Sequence, residues 1–226
     1  MARSIIFEER VEIPMDVRTL ADFRRWALSD DFPKTGRIAF VARSIGVDMS
    51  PEEIFCHGTL KVEIIRVLSQ RLKRRGDGHL VTDSTRVSCP QTDLSVEPDI
   101  VFLSNETLAR DRARLVAKST GELGRYIEVE GPPDLIAEIV SDSSVAKDTR
   151  RLPAAYALAG VREYWLIDAR VVPIVFQIHH LSERAYQPAI PDTNGFQQSI
   201  VFAAGFRLDG TRDTQGIWHF DLLEKE

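Results

Sequence analysis

The run Leu135–Val140 is almost wholly apolar, broken only by Glu138. A short strand without polar alternation has no face to offer water, so it belongs inside a sheet covered on both sides. The residues after it extend the constraint. Ser141–Ser144 reads as a turn, Asp148 as the N-cap of a helix through Ala159, Gly160 as its stop, and Glu163–Asp168 as the next strand. Pro153 lies early in that helix, which is therefore expected to bend or to start late. The spacing predicts an α/β (α+β) fold with a mixed central β-sheet flanked by helices.

The rest of the chain supplies further elements. Val17, Leu20, Phe23, Trp26 and Ala27 recur at helical spacing within Asp16–Leu28, and Ser4–Ile13 alternates weakly, as an edge strand would. Gly36–Val47 reads as a strand or hairpin. Ser50, Pro51 and Glu53 look like a helix start, and Leu60, Ile64, Val67, Leu68 and Leu72 continue one apolar face to about Lys73, with an interruption near Gly58. Leu80–Val87, Asp99–Leu103, Val171–His179, Arg184–Pro188 and Gln197–Phe202 are strand-like, while Cys89–Val96 holds turn residues. Asn105–Val129 is polar, partly basic and glycine-broken, as an insertion or flap would be. No linker or repeat divides the chain, so residues 1–226 read as one domain, with decoration over about 1–35 and an insertion over about 105–130.

Composition narrows the class without choosing the function. Hydrophobic residues make up 43% and charged ones 28%, which excludes a disordered or fibrous chain. The net charge of −5 argues against a histone-like basic coat, yet DNA binding depends on local patches and stays open. Cys56 and Cys89 cannot build a disulfide framework and read as reduced thiols, so a cytoplasmic location is expected. The apolar run Ile5–Phe7 is too short for a signal peptide, and no stretch approaches the ~18 apolar residues of a membrane span.

Three charged residues fall where the element order brings chain ends together. Asp99 opens a strand after Pro98, Glu138 sits alone in the apolar strand, and Lys147 stands in the turn before the helix. A glutamate inside a buried strand is costly unless it is paired or binds a cation. Two carboxylates from adjacent strands suit Mg²⁺ (or Mn²⁺), which prefers one or two protein carboxylates with waters and phosphate oxygens. A nearby lysine can orient a nucleophilic water or stabilise developing charge. These are the parts that phosphodiester hydrolysis needs. Spacing alone leaves a second reading open, in which the acids pair with Arg86 or Arg150.

Over Pro132–Arg170 the chain resembles a bacterial restriction-endonuclease family, of the Uma type, within the PD-(D/E)XK nuclease superfamily. The pattern is carried by Glu138, Ser141, Tyr156, Gly160, Val161, Glu163, Tyr164, Trp165, Leu166 and Asp168. Weaker likeness covers Met49–Gly58 and Glu97–Leu103. The resemblance implies a restriction-endonuclease-like core, metal-dependent hydrolysis of DNA, and metal-binding roles for Asp99 and Glu138. It also exposes a departure. The superfamily lysine would fall at Val140, or four residues before the tyrosine at Leu152, and neither is basic. Lys147 is the substitute of choice, with Arg151 nearby but unable to act as a base. The alternative function is a catalytically inactive nuclease-fold module that binds DNA or builds an assembly.

Other candidates carry less. The resemblance gives His57 some weight as a near-site residue, against the simpler reading of a core or capping histidine. His179 and His180 would point to opposite faces of a strand, a poor metal site. Ser141, Ser143 and Ser144 read as turn and cap residues, and Tyr156, Tyr164 and Trp165 as core. The basic clusters Arg66–Arg75 and Arg110–Lys118 are either phosphate contacts or solvated faces. DNA is the expected partner, and a homodimer is suggested by analogy with enzymes that cut both strands.

Overall fold

The computed structural model describes residues 12–118, 120 and 122–226. The edge strand expected over Ser4–Ile13 lies outside the described residues, apart from its last two positions, which are not strand. Along the chain come α1 (Leu20–Ala27), β1 (Arg37–Val41), β2 (Ser44–Asp48), α2 (Leu60–Arg75), β3 (Gly78–Thr82), β4 (Arg86–Cys89), β5 (Leu94–Val96) and β6 (Ile100–Ser104). Next are α3 (Asn105–Ala109), β7 (Arg114–Ala117), β8 (Tyr126–Glu130), β9 (Leu135–Ile139), α4 (Leu152–Ala159) and β10 (Glu163–Asp168). The chain continues through β11 (Val175–Ser182), β12 (Ala185–Pro188), β13 (Gln197–Ser199), β14 (Ala204–Arg212) and β15 (Trp218–Lys225).

The central sheet runs β12-β11-β10-β9-β6-β3 and is mixed, β9 and β10 being parallel and the other pairs antiparallel. Strand alternation divides its side chains between two cores. Ile100, Phe102, Leu135, Ala137 and Ile139 face α2 and the β14–β15 hairpin, packing on Leu60, Ile64, Leu68, Phe206 and Leu222. Val101, Leu103 and Ile136 face the other way, onto Tyr156 of α4 and onto Val87, Leu94 and Val129 of a second sheet, β2-β1-β5-β4-β8-β7. With both faces covered, β9 is buried at every position. The expected mixed sheet flanked by helices is therefore present, with a second sheet added to one face.

Several local features differ from expectation for identifiable reasons. Leu80–Val87 is two strands in different sheets, because Asp83 and Ser84 turn the chain with positive φ. The supposed turn Cys89–Val96 contains β5, and Asn105–Val129 contributes β7 and β8 to the second sheet, β8 pairing with β4. The expected strand Val171–His179 begins only at Val175, and β13 ends at Ser199. The β14–β15 hairpin has no counterpart in the sequence reading.

Helix starts are displaced too. Ser50 and Pro51 lie before the helix, which opens as a π-helical turn over Ile54–Thr59 with the Glu53 carboxylate accepting the Cys56 N–H. The expected interruption near Gly58 is where this turn gives way to α2. A second π-helical turn, Lys147–Arg151, leads into α4, so Asp148 is buried inside it and caps nothing. Gly76 and Gly160 stop α2 and α4 in the left-handed conformation, at φ 64° and 88°.

Candidate active site

The register of β6 against β9 pairs Ile100 with Ala137, which sets Asp99 beside Glu138. The Asp99 backbone N–H donates to Glu138 Oε2 at 3.4 Å, and the Ile139 N–H donates to Asp99 Oδ2 at 2.8 Å. Both carboxylates are buried, yet their surroundings are unlike.

Asp99 is flanked by three basic side chains. Lys61 Nζ lies 3.2 Å and Arg37 Nη1 3.7 Å from its Oδ1, while His57 Nε2 lies 3.3 Å from its Oδ2. Burial alone would raise its pKa, but His57, Lys61 and the Ile139 N–H outweigh it and hold the carboxyl well below its ordinary value. His57, in the π-helical turn, and Lys61, at the start of α2, lie four residues apart and approach the same acid. Glu52 closes the far side, pairing with Arg37, with Lys61 at 3.1 Å and with His57 Nδ1 at 3.4 Å.

Glu138 meets α4, where Tyr156 donates a 2.5 Å hydrogen bond to its Oε1. Burial, then the nearby charges of Asp148 and Asp99, push its pKa up to about 8, against the opposing pull of Lys147 and Tyr156. Lys147 sits 3.4 Å from Asp148 Oδ1; burial works against its charge, but Glu138, Asp148 and Asp99 together raise its pKa. Neither Arg86 nor Arg150 is a salt-bridge partner of these acids; Arg86 pairs with Glu97 instead.

The site opens sideways. A recess of about 190 Å³ is lined by Arg37, Glu52, Asp83, Glu97 and Asp99. It adjoins a larger cavity of about 600 Å³, with Arg37 and Glu97 on the shared wall. That cavity carries three cations, Arg37, Lys147 and Arg151, among apolar residues such as Val47, Met49 and Leu152. Two of its lining residues, Ser143 and Asp48 at the end of the β1–β2 hairpin, are joined by a 2.9 Å hydrogen bond from Ser143 Oγ.

Asp99, Glu138, His57 and Lys147 thus gather around one strand end, and Arg151 lines the cavity beside them. Glu52, Lys61 and Arg37 were not found by sequence reasoning. The spacing His57–Lys61 is the signal that could have found the lysine, whereas Glu52 was hidden inside an apparent helix-start motif. Much of the first basic cluster is engaged elsewhere, with Arg71 and Arg74 pairing Glu224 and Arg66 pairing Glu63. In the second, Arg110 pairs with Glu106 and Arg114 with Glu130. His179 packs against Tyr164 and Tyr186, while His180 approaches the Gln198 carbonyl, so the two do diverge.

Comparison with known proteins bears on the family and the fold. Residues 20–210 match the Uma2 family model, described as "Putative restriction endonuclease". The chain is also similar to a crystal structure, at 1.96 Å resolution, of a "putative nuclease belonging to DUF820" from Anabaena variabilis ATCC 29413. That likeness has a TM-score of 0.58 at 18% identity, covering 82% of this chain and 90% of the other, and it speaks to the fold. No curated protein matches. Among the described residues, no helix is long and apolar enough to cross a membrane.

Proposed function

Because the chain belongs to the Uma2 family, we propose that it is a metal-dependent endonuclease that hydrolyses DNA phosphodiester bonds. The observation that carries this reading is the buried Glu138 beside Asp99, next to a cavity bearing Arg37, Lys147 and Arg151. Burial and the neighbouring acids Asp148 and Asp99 raise the Glu138 pKa, so a counter-cation beside it would be stabilising. Asp99 and Glu138 would hold Mg²⁺ or Mn²⁺, and the donor set fits a hard divalent ion. Such an ion supplies polarisation of the scissile phosphate and a lower pKa for attacking water.

The chain's own residues would do the rest. Lys147, kept charged by the acids around it, would orient water or stabilise charge on the reacting phosphate. Arg37 and Arg151 would hold flanking phosphates along the cavity wall. Tyr156 fixes the Glu138 side chain through its hydroxyl. Cleavage of both strands would call for two copies of the chain.

A second reading rests on Leu152. The side chain at the position where the resemblance implies a lysine is apolar and lines the cavity. This favours a nuclease-fold module that binds DNA without cutting it. Supercoiled plasmid incubated with Mg²⁺ or Mn²⁺, with an EDTA control, separates the two. Nicking that is lost in Asp99→Ala and in Glu138→Ala supports the enzyme. Metal and DNA binding without nicking supports the module.

A further inference from the structure

His57 is 1% exposed, and neither ring nitrogen makes a well-directed hydrogen bond. Both nonetheless have a carboxylate oxygen close by, Glu52 Oε2 at 3.4 Å from Nδ1 and Asp99 Oδ2 at 3.3 Å from Nε2. Burying a polar ring without satisfying it is unfavourable, so such a group in a cleft points to a missing partner. One donor atom each from Glu52, His57 and Asp99 can be chosen so that all lie within 4.8 Å of one another. Among the described residues they are the one convergent group of three metal-ligating side chains, and Glu138 is not part of it.

The neighbouring cations leave this trio available. Lys61 takes Oε1 of Glu52 and Oδ1 of Asp99, so each acid turns its other oxygen to the imidazole, Asp99 Oδ2 while also accepting the Ile139 N–H. Lys61 also reaches Asp83, and Arg37 reaches Glu52 and Asp99. Three carboxylates, Glu52, Asp83 and Asp99, therefore face two cations, leaving one negative charge in excess. Arg37 and Glu52 are partly exposed and free to adjust.

We propose that Glu52, His57 and Asp99 form a mixed nitrogen–oxygen site for a divalent transition ion. It deepens the nuclease reading and rests on that reading for the use made of the ion, though not for its binding. An imidazole donor favours Zn²⁺ or Co²⁺ over Mg²⁺, which prefers oxygen ligands and sheds water reluctantly. The site shares Asp99 with the Asp99–Glu138 pair. One buried aspartate thus links an oxygen-only position and a position that accepts nitrogen.

The test uses the full chain with Co²⁺ and Mg²⁺ as probes, titrated calorimetrically, with proton NMR to detect imidazole signals shifted by bound Co²⁺. Co²⁺ should bind at least tenfold more tightly than Mg²⁺ and shift one histidine ring. His57→Gln should abolish the shifted signals, and Glu52→Gln, at a partly exposed position, should weaken Co²⁺ binding by at least tenfold. Glu138→Gln should keep the signals while losing any nicking. Equal or tighter binding of Mg²⁺, shifted signals that survive His57→Gln in a protein with unchanged circular dichroism, or no Co²⁺ binding up to millimolar concentration would each overturn the site. A shifted histidine in a protein that never nicks DNA would overturn the nuclease reading alone.

Discussion

Glu138 and Glu163 occupy neighbouring strands of one sheet, and both are buried. Glu163 accepts from Trp165 Nε1, Ser199 Oγ and the backbone N–H groups of Ile200 and Val201. Glu138 has the Tyr156 hydroxyl and one long backbone contact, and it faces Asp148 and Asp99, which are acids themselves. Burial raises both pKa values, but only around Glu163 do four donors oppose it. One glutamate ties β10 to the β13 region. The other is held short of partners beside a cleft. The number and sign of neighbours, and not burial, separate a structural acid from a candidate catalytic one.

The largest expected effect tests the functional half of this contrast. Glu138→Ala should lower the plasmid nicking rate by roughly 10³-fold or more, about 4 kcal/mol of transition-state stabilisation, with circular dichroism unchanged. A rate within a fewfold of the parent would remove Glu138 from the site. Next in size, Glu163→Ala should lower the unfolding free energy by roughly 3–5 kcal/mol, since several buried donors lose their acceptor at once. Calorimetry should then show Tm lower by roughly 6–15 °C, with nicking per folded molecule preserved.

A pH series sharpens the comparison further. The folded pKa of Glu138, about 8, lies above its ordinary value of 4.5, so the folded chain holds a proton that the unfolded chain has released. Metal-free stability should therefore fall as pH rises between those values, by at most ~1.4 kcal/mol per unit from this group. Glu138→Gln should flatten that slope in urea titrations, and an unchanged slope would show that the proton resides elsewhere. The smallest effect belongs to Tyr156→Phe. Loss of one hydrogen bond should lower stability by about 1 kcal/mol and raise the Glu138 pKa further, as a shift in the same urea–pH profile.

Much of the central layer could be read from the chain. The apolar run of β9, interrupted only by Glu138, announced a strand covered on both faces, and Gly160 marked the end of α4 correctly. Asp99 and Glu138 were found because an acid stands out in an apolar strand or directly before one. Asp148 was misplaced because a cap and a buried π-turn acid look alike in one dimension. Glu52, Arg37 and Lys61 reach Asp99 only through folding, being separated from it by many residues, and only the spacing of Lys61 from His57 hints at one of them. The β14–β15 hairpin was missed for a related reason. Gly205 and Gly210 and the polar residues of β14 dilute its alternation, and its burial comes from α2, far away in the chain.

That distance has a consequence for assembly. The Leu222 N–H bonds to Glu63 at 3.0 Å across 159 residues, and Glu224 pairs with Arg71 and Arg74 on the same helix. The helix that presents His57 and Lys61 is thus made early in synthesis and fastened late. Contacts of such long sequence separation form slowly, after much loop entropy has been lost. Until Trp218–Lys225 has emerged from the ribosome and closed over α2, the apolar face that Leu222 covers stays open and Arg71 and Arg74 wait for Glu224.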